Sequence, residues 1–292
     1  MLQFPQLQNL IVIGFLIAAA LSDLKKREVP NWVNYGLVVI GVSFGLLQSV
    51  IAADWHFLAF SVAGLFSALD LAALMFYTGQ WGGGDSKLLI GLGAVLGLPF
   101  AAASPFADIG SPLLSFLVNL VVVSLFYAIV WGAVLAYRHS KRFGIELNRQ
   151  LKSYSLFRRL LLALSAVSLV MVLAINDIVV RVGIISVLTT LFFGLYLSIL
   201  AKAVEKSCML KQLNPLKLTE GDWIAKDVII SGKRICGPKD LGIEKSQIRQ
   251  LVSLYRRKKV RTVLVKEGIP FAPSFLLAYI VTIIFGNLVF AF

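Results

Sequence analysis

Aspartate is the residue type in this chain whose placement suggests chemistry. Asp23 stands where one apolar run ends, in Asp23-Leu-Lys-Lys-Arg-Glu-Val-Pro-Asn31, and Asp85 where another begins, in Gln80-Trp81-Gly82-Gly83-Gly84-Asp85-Ser86-Lys87. Two carboxyl groups brought to one depth cannot both ionise cheaply, so they share a proton. One can then take a proton from water while the other donates to the carbonyl under attack. That is the acid–base chemistry of amide hydrolysis. Gly82, Gly83 and Gly84 lack side chains and would let an extended substrate strand lie against the backbone. Lys87 could contact substrate or tune the pair, or simply extend to lipid headgroups. Against this stands a plainer reading of each aspartate as a helix-end cap.

The remaining residues narrow the chemistry. His56 and His139 fall at opposite faces, no HExxH occurs, and Cys208 and Cys236 form no CxxC, so neither a metal nor another cofactor is expected. Asp70 lies within an apolar run and is expected to face the helix bundle as an internal hydrogen-bonding residue. If Asp85 opens a helix, the positive dipole end favours its carboxylate form, whereas Asp23 closes one. On that argument Asp85 is the base and Asp23 holds the shared proton.

The elements that must position these residues are membrane helices. The chain has 292 residues, of which 58% are hydrophobic and 15% charged. Soluble domains are nearer a quarter charged, and several windows exceed the roughly 18 apolar residues needed to cross a bilayer. The first run lacks a basic leader region and a small-residue cleavage site, so it reads as a retained span. The expected fold is all-α and polytopic, with about eight transmembrane helices at 7–22, 32–51, 57–78, 88–103, 112–137, 160–175, 178–201 and 271–292. Asn31 is expected to cap the second, and 176–177 to turn a tight hairpin.

Residues 138–159 form a basic amphipathic connector, and 202–269 a small basic α+β domain. Within that domain, strands are expected at 222–230, 233–236 and 260–266, with a turn at Ser231-Gly232 and a helix at 244–259. The division is thus a membrane core at 1–201, the small domain at 202–269 and a final helix at 270–292.

Alternating spans put every Lys and Arg except Arg181 at one face, which the positive-inside rule makes cytoplasmic, with the N-terminus outside. The net charge of +13 then matches an anionic inner leaflet and calls for no nucleic acid. The same sorting places Asp54, Asp108 and Asp177 at the outer face, away from Asp85.

The string Gly82-Gly83-Gly84-Asp85-Ser86-Lys87-Leu88-Leu89 resembles the GxGD signature of membrane aspartyl proteases, in the form found in prepilin and preflagellin peptidases. The turn from Asp23 to Pro30-Asn31-Trp32 resembles the segment carrying that family's first catalytic aspartate. Gly268-Ile-Pro-Phe-Ala-Pro-Ser274 is similar to the family's Ile-Pro-Phe-x-Pro lead-in to a late helix. The resemblance implies leader removal from type IV pilin-like or archaellin precursors, with Asp23 and Asp85 as the catalytic pair. The four-cysteine insertion of methylating bacterial members is absent, so no methyltransferase activity is expected. The small domain is similar to a C-terminal extension of archaeal members, which makes an archaeal plasma membrane the expected setting. Two other readings are a transporter or channel with Asp70 and Asp85 as ion or proton sites, and a non-catalytic scaffold of a pilus or archaellum machine.

Overall fold

Hydropathy of this kind folds into helices because lipid leaves no other partner for backbone polar groups. The computed structural model describes residues 4–99, 111–230 and 232–289. In chain order the helices are α1 (Phe4–Lys26), α2 (Asn31–Ala52), α3 (His56–Tyr77), α4 (Gly83–Leu96), α5 (Pro112–Arg138), α6 (Ser140–Ser153), α7 (Ser155–Ala174) and α8 (Ile178–Val204). A π-helical turn, Glu205–Met209, then leads into β1 (Leu210–Leu213), β2 (Trp223–Ile224), β3 (Val228–Ile230) and β4 (Lys233–Cys236). α9 (Lys245–Arg256), β5 (Val263–Lys266) and α10 (Ala272–Phe285) complete the chain.

Eight apolar helices are present, but only six of the described helices are long enough to cross a membrane. α4 and α10 have 14 residues each, about 21 Å at the rise of an α-helix. The helix expected over 88–103 ends at Leu96, where Gly97 adopts φ +65. The one expected over 271–292 ends at Phe285. The expected positions of Asp108, Ser231 and the last three residues lie outside the described residues.

The two short helices are the centre of the bundle. α4 packs between α2 and α3, and α10 between α1 and α5. Leu16, Leu37, Leu88, Leu89, Leu92, Phe275 and Tyr279 are fully buried there. Small residues set the spacing: a Cβ at Gly64 would come within 2.2 Å of the Gly93 carbonyl oxygen, and one at Gly93 within 2.3 Å of Ala68 Cβ. Close backbone approach of this kind is how helices associate in lipid. Polar groups lock it, with Ser61 Oγ donating to Ala94 O at 2.7 Å and Asn119 Nδ2 to Thr282 Oγ1 at 2.9 Å.

α7 and α8 form the expected hairpin. Asp177 caps α8 by accepting from Val179 N at 2.8 Å and Val180 N at 3.2 Å. The predicted cap at Asn31 is not formed. Pro30 takes the N-cap position, and Asn31 is the first helical residue, its side chain engaged elsewhere.

The small domain carries a sheet ordered β1-β5-β2, antiparallel throughout, and a separate β3–β4 hairpin. β1 was not foreseen, and the strand expected over 222–230 is broken between β2 and β3. Leu218, Ile224, Ile243, Leu251, Val263 and Val265 form its own core. Cys236 is buried in that core as a free thiol, and burial pushes its pKa up to about 11. A Cβ at Gly79, which adopts φ +70, would lie 3.5 Å from the Trp223 ring. The domain therefore meets the bundle at the α3–α4 turn.

Candidate active site

The site is assembled where three helix ends meet. Asp23 lies in the last turn of α1, not after it, because α1 continues to Lys26. The chain then reverses through Arg27, which adopts φ +59 and whose N–H donates to Asp23 O at 2.9 Å. This carries Val29 onto the start of α4, where a Cβ at Gly84 would touch Val29 Cβ at 3.4 Å. Lys87 Nζ donates to Asn31 Oδ1 at 3.0 Å and ties the same two segments together. Asp23 and Asp85 are thereby brought to one junction and lie within electrostatic reach of each other.

The two carboxyl groups are held differently. Asp23 is 6% exposed, and its Oδ2 accepts from Ala272 N–H at 2.9 Å, at the start of α10. Phe271 and Phe275 of this third segment pack on Trp81, with ring centroids 5.8 Å and 5.6 Å away. Asp85 sits at the third position of α4, where a Cβ at the cap residue Gly82 would lie 3.7 Å from its Oδ2.

With that geometry in place, comparison with known proteins is informative. Residues 10–137 match the type IV leader peptidase family, a stretch holding both aspartates. Three archaeal proteins, each named preflagellin peptidase, are similar to parts of the chain. That of Methanococcus maripaludis is 38% identical over 81 residues, which is 28% of this chain and 35% of the relative. That of Methanocaldococcus jannaschii is 39% identical over 90 residues, 30% of this chain and 38% of the relative. That of Methanococcus voltae is 33% identical over 85 residues, 29% and 36% respectively. The chain thus spans little more than a third of the length of these relatives. No solved structure matches it.

Against the leader peptidase pattern, several sequence expectations shift. The helix expected from 88 already begins at Gly83, so Gly83 and Gly84 form the first turn of α4, and Gly82 is extended at φ −75. Gly84 admits the chain's own Val29, while Gly83 remains exposed. The dipole argument separating the two aspartates does not hold, since Asp23 also sits before a helix N-terminus, that of α10.

Asp70 does not face the bundle. The inward stripe of α3 is Ser61, Gly64, Ala68 and Ala72, and Asp70 lies exposed on the opposite side. The participation of Ala272 N–H was missed because a backbone donor has no side-chain signature. Only the Pro270 and Pro273 that frame it mark the lead-in. Among the described residues no three His, Cys, Asp or Glu side chains converge as a metal site.

Proposed function

We propose that the chain is a membrane-embedded aspartic endopeptidase that removes the leader of type IV pilin-like or archaellin precursors, using Asp23 and Asp85 to activate water. The observation that carries this reading is the convergence of Asp23 and Asp85 at one helix junction, inside the family-matched region. The preflagellin peptidases similar to parts of this chain support the choice of substrate.

A water between the two side chains is deprotonated by the ionised carboxylate as its oxygen attacks the scissile carbonyl carbon. The protonated partner donates to the carbonyl oxygen, giving a neutral gem-diol. Collapse breaks the C–N bond, and the leaving amine takes a proton from the dyad. Fixing the Asp23 carboxylate through the N–H group of Ala272 limits reorganisation during these steps. Gly83 offers the open flank along which an unwound substrate strand passes, and Lys87 borders it while bracing the two turns.

The basic loops support a cytoplasmic setting for this end of the bundle, against an anionic leaflet of an archaeal plasma membrane. No methyl transfer accompanies cleavage. Transport through Asp70 and Asp85 is disfavoured, because Asp70 lies on the side of α3 turned away from α4.

Co-expression with an archaellin precursor tests the reading. Wild type is expected to shift the precursor to the mature mobility, while Asp23→Asn and Asp85→Asn lower the rate by about 10³- to 10⁴-fold. Leader removal undiminished in both variants, or none by wild type, would reject it.

A further inference from the structure

Buried polar groups on α5 fall into two kinds. The side chain of Asn119 is fully engaged: Nδ2 donates to Thr282 Oγ1 and Gly286 O, and Oδ1 accepts from Leu288 N. The Tyr127 hydroxyl and, one turn before it on the same face, Ser124 Oγ are buried with no hydrogen-bond partner. A buried tyrosine hydroxyl normally finds a partner, and leaving one unsatisfied costs about 1–3 kcal/mol. Phenylalanine would fill the same space without that cost.

The hydroxyl's surroundings say what is missing. The Tyr127 ring stacks on Trp131 with centroids 5.8 Å apart, and the Arg27 guanidinium lies over Trp131 at 5.6 Å. Arg27 in turn binds the Asp23 carbonyl through its N–H. Trp131 and Arg27 thus link the Tyr127 ring to the turn that follows Asp23, and its hydroxyl stays without a partner there.

We propose that Tyr127 is a third catalytic residue, whose O–H donates to the scissile carbonyl oxygen of the precursor. It rests on the peptidase reading. The hydroxyl keeps its proton throughout; the hydrogen bond shortens as negative charge gathers on that oxygen during water attack. Trp131 and Arg27 hold the ring in place.

The test uses the full-length protein in liposomes with an archaellin precursor. Tyr127→Phe is expected to lower kcat about 100-fold, with KM unchanged and the thermal unfolding midpoint raised, because the unpaired hydroxyl is gone. It should also weaken binding of a hydroxyethylene isostere of the cleavage site, which carries the oxygen, but not of a reduced-amide isostere, which lacks it. Wild-type kcat in Tyr127→Phe overturns the proposal, as does equal loss of both isosteres or a loss of activity that follows a lowered unfolding midpoint. Failure of wild type to cleave overturns the peptidase reading itself, and the proposal with it.

Discussion

α4 and α8 are both apolar helices, yet they occupy opposite environments. α4 is enclosed by α2 and α3 and buries Leu88, Leu89, Leu92 and Ala94, whereas α8 leaves most of its side chains exposed and buries only Ile199 and Ala203. The difference appears most plainly at glycine. Gly64 and Gly93 sit where a Cβ would strike backbone, while Gly183 and Gly194 have nothing within 4 Å. Hydrophobicity inserts both regions, but only the first uses small residues and buried hydrogen bonds to fix helix positions. Lipid supplies no hydrophobic drive between helices, so precision must come from close packing. Asp85 opens the more closely packed of the two helices.

The comparison predicts unequal tolerance. Gly64→Val should destabilise the bundle by about 3 kcal/mol or more through overpacking, with cleavage lost alongside folding, while Gly194→Val should change the unfolding midpoint little. A thermal unfolding series in detergent measures both, and equal effects would abolish the distinction. Asp70→Asn tests the outer face of a core helix. Cleavage within about twofold of wild type is expected for an exposed side chain distant from chemistry, and a large loss would return Asp70 to the mechanism. Lys87→Met removes the bridge to Asn31 at the surface. Its expected cost is at most about 1 kcal/mol, with a few-fold fall in kcat if the bridge steadies the junction.

Much of the site was legible because its parts are local. Asp23 before Pro30, and Asp85 after three glycines, mark polar breaks that hydropathy alone reveals, as does the Asn176-Asp177 hairpin. What was illegible depends on distant pairing or on distinguishing lipid from protein. β1 forms only against β5, some fifty residues away in sequence, from Leu210↔Lys266 to Leu213↔Val263. An apolar face looks the same whether it meets lipid or another helix, so Asp70 was assigned to the wrong side. The stripe Ser61, Gly64, Ala68, Ala72 held the missing signal, since small residues at helical spacing mark the packed face. Likewise the length of α4 was overestimated because a central helix enclosed by others need not span the bilayer.

Cross-linking within intact membranes tests the convergence of the two aspartates most directly. With Cys208 and Cys236 replaced by alanine, Asp23→Cys and Asp85→Cys combined in one chain should be joined rapidly by a short thiol-specific cross-linker. Absence of any cross-link, in protein whose two cysteines each react singly with maleimide, would contradict the shared junction.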